Sequence, residues 1–174
     1  MPTSIPQARP APLGWRLLAL VYDLFPVFAL VLVFGALVTG IATALGHPDV
    51  SDLPWMAPLL VAGAWAFTGA YFVLSWSRGG QTLGMRPWRL KVVTPEGAVA
   101  TRAALLRRYA LATLPAIIGI ELAALVPGIE RLWPFWIGGG IAAGGLLWSL
   151  FDRDGAALYD RLSNTRFVRL IGAA

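Results

Sequence analysis

Asp23 stands inside an apolar run long enough to cross a bilayer, and that placement is where chemistry first shows in the chain. From Trp15 to Gly40 the only charges are Arg16 and Asp23. A carboxylate at such a depth costs about 2.5–3.5 kcal/mol on insertion scales, so it needs a partner or a task. Arg16 lies two helical turns earlier, on nearly the same face. Pro26 has no N–H to give the Tyr22 carbonyl, which frees an acceptor beside the carboxylate. An arginine, an aspartate and a free carbonyl suit a protonatable or cation-binding site. A salt bridge that fixes helix packing would use the same residues, and both readings stand. Glu121 is a second acid within an apolar run. It lies about 18 Å from the inner edge by helical rise, against about 9 Å for Asp23, either as a later station on an ion path or reaching toward the outer interface.

The elements that must position these groups are membrane spans. The 174 residues are 57% hydrophobic and 13% charged, with mean hydropathy +0.68. That balance describes an all-α integral membrane protein rather than a soluble domain. Four transmembrane helices are expected, at about 16–40, 56–76, 109–126 and 134–151. Residues 1–12, with four prolines, read as a disordered tail and not a cleavable signal. The membrane domain covers 13–170, and 171–174 form a C-terminal tail.

Between the second and third spans, Ser77–Arg108 carries seven basic residues against the single acid Glu96. Trp88–Val93 alternates, and Thr94-Pro95-Glu96-Gly97 has turn chemistry, so a short cytoplasmic β-hairpin or interfacial segment is expected there. Phe167–Ile171 reads as a brief strand. Counting Lys and Arg by loop puts thirteen on one side and Arg131 alone on the other. The positive-inside rule then makes both termini cytoplasmic. Trp55, Trp76, Trp133 and Trp136 fall near span ends, where indoles favour the interface. The partners implied are the bilayer and anionic lipid head groups at the basic loop. Nucleic acid is not implied, because topology accounts for the arginines. Four spans are few for a transport path, which points to a homo-oligomer.

Other motifs are weaker. Arg78–Arg86, RGGQTLGMR, has glycines like a phosphate cradle but lacks the Lys-Ser/Thr of a nucleotide loop, so tight turning is its default role. Gly140 and Gly144 form a G-x-x-x-G that permits close helix approach, most simply within the chain. His47 with Asp49 and Asp52 is too thin a set for a metal site. The chain has no cysteine and no enzyme signature, so neither catalysis nor a cofactor is expected.

Three separated segments resemble the RDD family of bacterial membrane proteins, named for one arginine and two aspartates. WRLLALVYD is similar to the family's opening, GGQTLGMRPWRLKVV to its G-Q-T segment after the second helix, and YDRLSNTRFV to its closing motif. The resemblance implies that Arg16 is the family arginine, with Asp23 and Asp160 its two aspartates. It also implies a bacterial inner-membrane location and transport of an ion or small solute, with proton-coupled cation exchange suggested for some members. The alternative is a non-transporting membrane partner in which the triad is a structural clamp. Tyr159 stands where the family often has histidine, and Asn164 where it often has glycine. On this topology Asp160 could dock against Arg16 at the inner edge, so that Arg16 bridges both aspartates.

Overall fold

The structure, a computed structural model, describes residues 7–47, 56–125 and 132–171. Strand β1 (Gln7–Pro10) leads into helix α1 (Leu13–Ala44), and α2 (Met56–Gly79) returns to β2 (Leu90–Val93). Helices α3 (Arg102–Leu125) and α4 (Leu132–Leu147) follow. A 3₁₀ turn (Trp148–Leu150), the short α5 (Leu158–Leu162) and β3 (Arg166–Ile171) close the described chain. Three helices, α1, α2 and most of α3, are long and apolar enough to cross a membrane. Their large apolar side chains face outward: Phe25 is 74% exposed and Phe28 66%. A surface of that kind is stable in lipid, where the helix meets its own backbone hydrogen bonds.

The sheet revises two expectations. The segment between α2 and α3 does turn locally, with the Gly97 N–H donating to the Thr94 carbonyl at 2.9 Å. Its strand does not close a hairpin, however. β2 pairs antiparallel with β3, Leu90 opposite Arg169 and Val93 opposite Arg166. The other edge of β3 takes β1, Gln7 opposite Ile171 and Pro10 opposite Val168. Gln7–Pro10 is therefore ordered in a strand and is not part of a disordered tail. Pro10 is admissible there because β1 is an edge strand, where a missing donor faces no ladder. The expectation of disorder over residues 1–6 lies outside the described residues.

This three-stranded sheet ties both ends of the described chain and the α2–α3 connection to one end of the bundle. The compact core lies there too, built on Trp76, Met85, Leu90, Val92, Leu105 and Phe167. Trp76 is thus not an interfacial anchor. It is 8% exposed, and its Nε1–H donates to Met85 Sδ at 3.4 Å. Trp133 and Trp136 remain exposed, and Trp55 lies outside the described residues.

The close seam between α3 and α4 also departs from the sequence reading. Gly140 and Gly144 have nothing within 4 Å of a would-be Cβ. The backbones instead approach at Gly119 and Gly138, where an added Cβ would strike the Pro134 and Pro115 carbonyls respectively. A carbonyl cannot rotate aside as a flexible side chain can. Gly138→Leu is therefore expected to cost about 1–3 kcal/mol through overpacking. Gly140→Ala should be neutral or stabilising, because alanine favours helix by up to about 1 kcal/mol over glycine. Thermal unfolding of both variants in a mild detergent checks this.

Candidate functional site

Two buried carboxylates organise the sheet end of the bundle, and they form separate sites. Asp160, the third residue of α5, is fully buried. Arg16, in the first turns of α1, donates from Nη1 to Asp160 Oδ2 at 2.6 Å. Two further donors go to carbonyls: Nε to Ala11 at 3.0 Å and Nη2 to Gly155 at 2.8 Å. From α3, Arg108 pairs through Nη1 with Asp160 Oδ1 and with Thr165 Oγ1 at 3.0 Å. The Ala157 N–H donates to Oδ2 at 3.1 Å, the return half of a capping box whose other half alanine cannot supply.

Arg16 and Arg108 are only 6% and 4% exposed. Two cations and one anion out of water are costly, and several contacts offset the excess positive charge. The Phe167 ring lies 5.0 Å from Arg16 Cζ and 5.5 Å from Arg108 Cζ. Trp76 and Tyr159 present ring faces to Arg108 at 5.4 and 5.0 Å. Ring quadrupoles attract such cations, more strongly when water is excluded. Tyr159 thus supplies an aromatic face to the guanidinium. Asn164, just after α5, has φ +54°, a left-handed conformation that glycine and asparagine tolerate best. That explains how asparagine can stand where the resemblance leads one to expect glycine.

The loop before α5 is ordered by Asp152. Its Oδ1 accepts from Arg161 Nε at 2.6 Å, and its Oδ2 accepts the N–H groups of Ala156 and Asp154 at 2.9 and 3.0 Å. The Arg161 bond, followed by the Ala156 N–H, holds the Asp152 carboxyl below the usual carboxylate range.

Asp23 meets different partners. Its Oδ1 accepts from Tyr71 Oη at 2.9 Å and from the Gly84 N–H at 2.9 Å. Its Oδ2 accepts from Thr82 Oγ1 at 2.5 Å. Asp23 is 4% exposed. The arginine therefore does not bridge both aspartates. Two turns of helix separate the residues by about 10 Å, and the donors of Arg16 are directed to Ala11, Asp160 and Gly155. Among the described residues no side chain donates to the Tyr22 carbonyl freed by Pro26.

The glycine-rich segment after α2 is likewise occupied by structural bonds. Gln81 Nε2 donates to the Leu90 carbonyl at 2.7 Å. Thr82 and Gly84 serve Asp23, and Met85 meets Trp76. This is a clip between α1, α2 and β2, not a phosphate cradle.

Glu121 is half-buried on α3 and has no ion-pair partner among the described residues. His47 is exposed after α1, while Asp49 and Asp52 lie outside the described residues. No group of three potential metal ligands occurs among the described residues.

Between the two carboxylate sites lies a cavity of about 470 Å³, bounded by α1, α2, α3 and α4. Arg16, Arg108 and Tyr159 line its sheet end, and Asp23 reaches it two turns farther along α1.

A family model described as the RDD family matches residues 10–164, most of the chain. The chain belongs to the RDD family. No curated protein and no solved structure matches it. In this RDD protein the arginine and the second aspartate that the resemblance singled out are in direct contact, and the first aspartate is held by a different set of donors. Sequence reading of the RDD chain missed Arg108, Thr165, Tyr71, Thr82 and Gly84. A signal for Arg108 was present: Ala104, Leu105, Arg108 and Tyr109 fall at i, i+1, i+4 and i+5, one buried helix face, with the arginine among apolar residues. Nothing comparable marks Thr82 or Gly84, which reach Asp23 only once the chain has turned.

Proposed function

We propose that this RDD-family chain is a four-span protein of the bacterial inner membrane, both termini cytoplasmic, that passes an ion or small solute through the cavity between its helices. The observation that carries the reading is the cavity itself, in which two arginines, an aspartate and the hydroxyls of Tyr109, Thr113 and Tyr159 meet an otherwise apolar lining. Intramembrane ionisable groups facing a cavity mark ion and solute pathways by default.

Several features support the topology. The sheet gathers the ends of the described chain and the basic α2–α3 connection at one end, which suits an even number of crossings. The 16 residues of α4 rise about 24 Å, and the following 3₁₀ turn adds about 6 Å, close to a hydrocarbon core of about 30 Å. Arg78 and Arg86 have no acidic partner among the described residues, leaving them for anionic head groups at the inner surface. A homo-oligomer would add the helices that a single four-helix unit lacks. Neither catalysis nor a cofactor belongs to this reading.

The clamp reading is favoured by one specific observation: the Asp23 and Asp160 carboxylates each accept three hydrogen bonds from the protein. The two readings separate in proteoliposomes under an imposed pH or cation gradient. Transport predicts flux in the parent protein that Ala143→Trp abolishes by filling the cavity, with the melting temperature preserved. A clamp alone predicts no flux in the parent, and Asp23→Asn destabilised by about 1–3 kcal/mol because its amide presents N–H to existing donors.

A further inference from the structure

The cavity has a polar end and an apolar side, and the two differ in what they leave unpaired. Arg108 spends Nη1 on Asp160 and Thr165. Its Nε and Nη2 donate to nothing among the described residues. The one fully enclosed side-chain polar atom without a partner among those residues is Trp88 Nε1. The free edge of Arg108 therefore opens onto the cavity that this residue lines. A guanidinium with unused donors in an apolar surround favours a planar or tetrahedral anion bound through two N–H groups.

On the other side, Leu17 and Leu20 of α1 and Ala142 and Ala143 of α4 border the same space. The main helix seams join α1 to α2, α2 to α3, and α3 to α4. No seam of that extent joins α1 to α4, so the cavity is bordered by apolar side chains where the bundle is open to acyl chains. Asp23 confines an anion to the Arg108 end: its charge repels a second anion, and its oxygens are occupied by Tyr71, Gly84 and Thr82.

The geometry points to an amphiphilic anion as the occupant: a carboxylate or phosphate head on the free edge of Arg108, with an acyl chain lying between α1 and α4. The inference uses the same cavity as the reading above but goes beyond it, since an amphiphile bound there need not be the solute that passes. The volume of about 470 Å³ falls within the range of sites that enclose small ligands. The head group chemistry is shared by a free fatty carboxylate and by an anionic phospholipid of the bilayer.

The test uses the full chain in nanodiscs of neutral lipid, labelled with a photoactivatable fatty acid and mapped by peptide mass spectrometry. Saturable labelling on Leu17–Leu20 and Ala142–Leu146 is expected, displaced by oleate or by phosphatidylglycerol. The stronger competitor identifies the source of the head group. Ala143→Trp should weaken labelling at least about tenfold, about 1.4 kcal/mol, without touching any ion pair. Arg108→Lys, which keeps the charge but loses the planar fork, should weaken oleate more than oleyl alcohol. Equal displacement by oleyl alcohol, labelling spread over the lipid-facing Phe25 and Phe28, or no effect of Ala143→Trp would overturn the assignment. Should Arg108→Lys fail to fold, the Ala143→Trp and oleyl alcohol arms still decide. Cation flux measured without added amphiphile keeps the two claims apart. Flux without site labelling removes the amphiphile and leaves the solute reading, whereas labelling without flux does the reverse.

Discussion

Asp160→Ala is expected to be the most damaging single substitution in the chain, costing about 3–5 kcal/mol and with it most of the folded protein recovered from membranes. Removing one partner of a buried ion pair leaves the other charge uncompensated, and that penalty exceeds what the pair itself contributes. Here two guanidiniums lose their counter-charge together, both less than one-tenth exposed. The loss spreads further, because Arg16 also holds the Ala11 and Gly155 carbonyls and Arg108 also holds Thr165. Asp160 therefore joins α1, α3 and the segment leading into β3. Asp160→Asn should be milder, since its carbonyl oxygen can still accept from one arginine. Denaturant or thermal unfolding in detergent, followed by tryptophan fluorescence, separates the two.

Gly84→Ala is expected to rank next, at about 2–5 kcal/mol. A Cβ there would sit 2.5 Å from the Ala19 carbonyl oxygen and 2.6 Å from the Asp23 nitrogen, both backbone atoms of α1. Neither can move without shifting the helix, so the loop must withdraw instead. Withdrawal breaks the Gly84 N–H bond to Asp23 and pulls Thr82 from Oδ2. The carboxylate then keeps Tyr71 alone among its present donors. Thr82→Val, which removes one donor without adding bulk against α1, should cost only about 1–2 kcal/mol. A Gly84→Ala effect no larger than that of Thr82→Val would show that the loop is not seated on α1 as described.

These two sites show what could and could not be read from the chain. The long helices were legible because lipid demands long apolar runs, and Trp15–Gly40 meets that demand without reference to any other residue. Strand β3 was visible as a brief strand-like run, Phe167–Ile171. Its partners were not, because β1 and β2 lie far from it in sequence and carry four residues each. The pairing of Arg16 with Asp160 followed from the resemblance together with a topology that put both on one side. The expected pairing of Arg16 with Asp23 came from helical spacing alone. It does not form, because each residue has closer polar groups on segments that spacing within α1 cannot register. Arg108 was counted as a topological charge beside Arg107. Only burial separates the two, Arg108 facing Asp160 while Arg107 is exposed. The Gly119–Gly138 contact was overlooked for the same reason: the G-x-x-x-G pattern describes one helix, whereas close approach is a property of two.

The central claim is that the family arginine serves the second aspartate and not the first. Two double-mutant cycles test it directly, pairing Arg16→Met with Asp160→Asn and, separately, with Asp23→Asn, each read as unfolding free energy in the same detergent. A coupling of about 1–3 kcal/mol is expected between Arg16 and Asp160, with additivity within about 0.5 kcal/mol between Arg16 and Asp23. Additive effects at Asp160 together with strong coupling at Asp23 would contradict it.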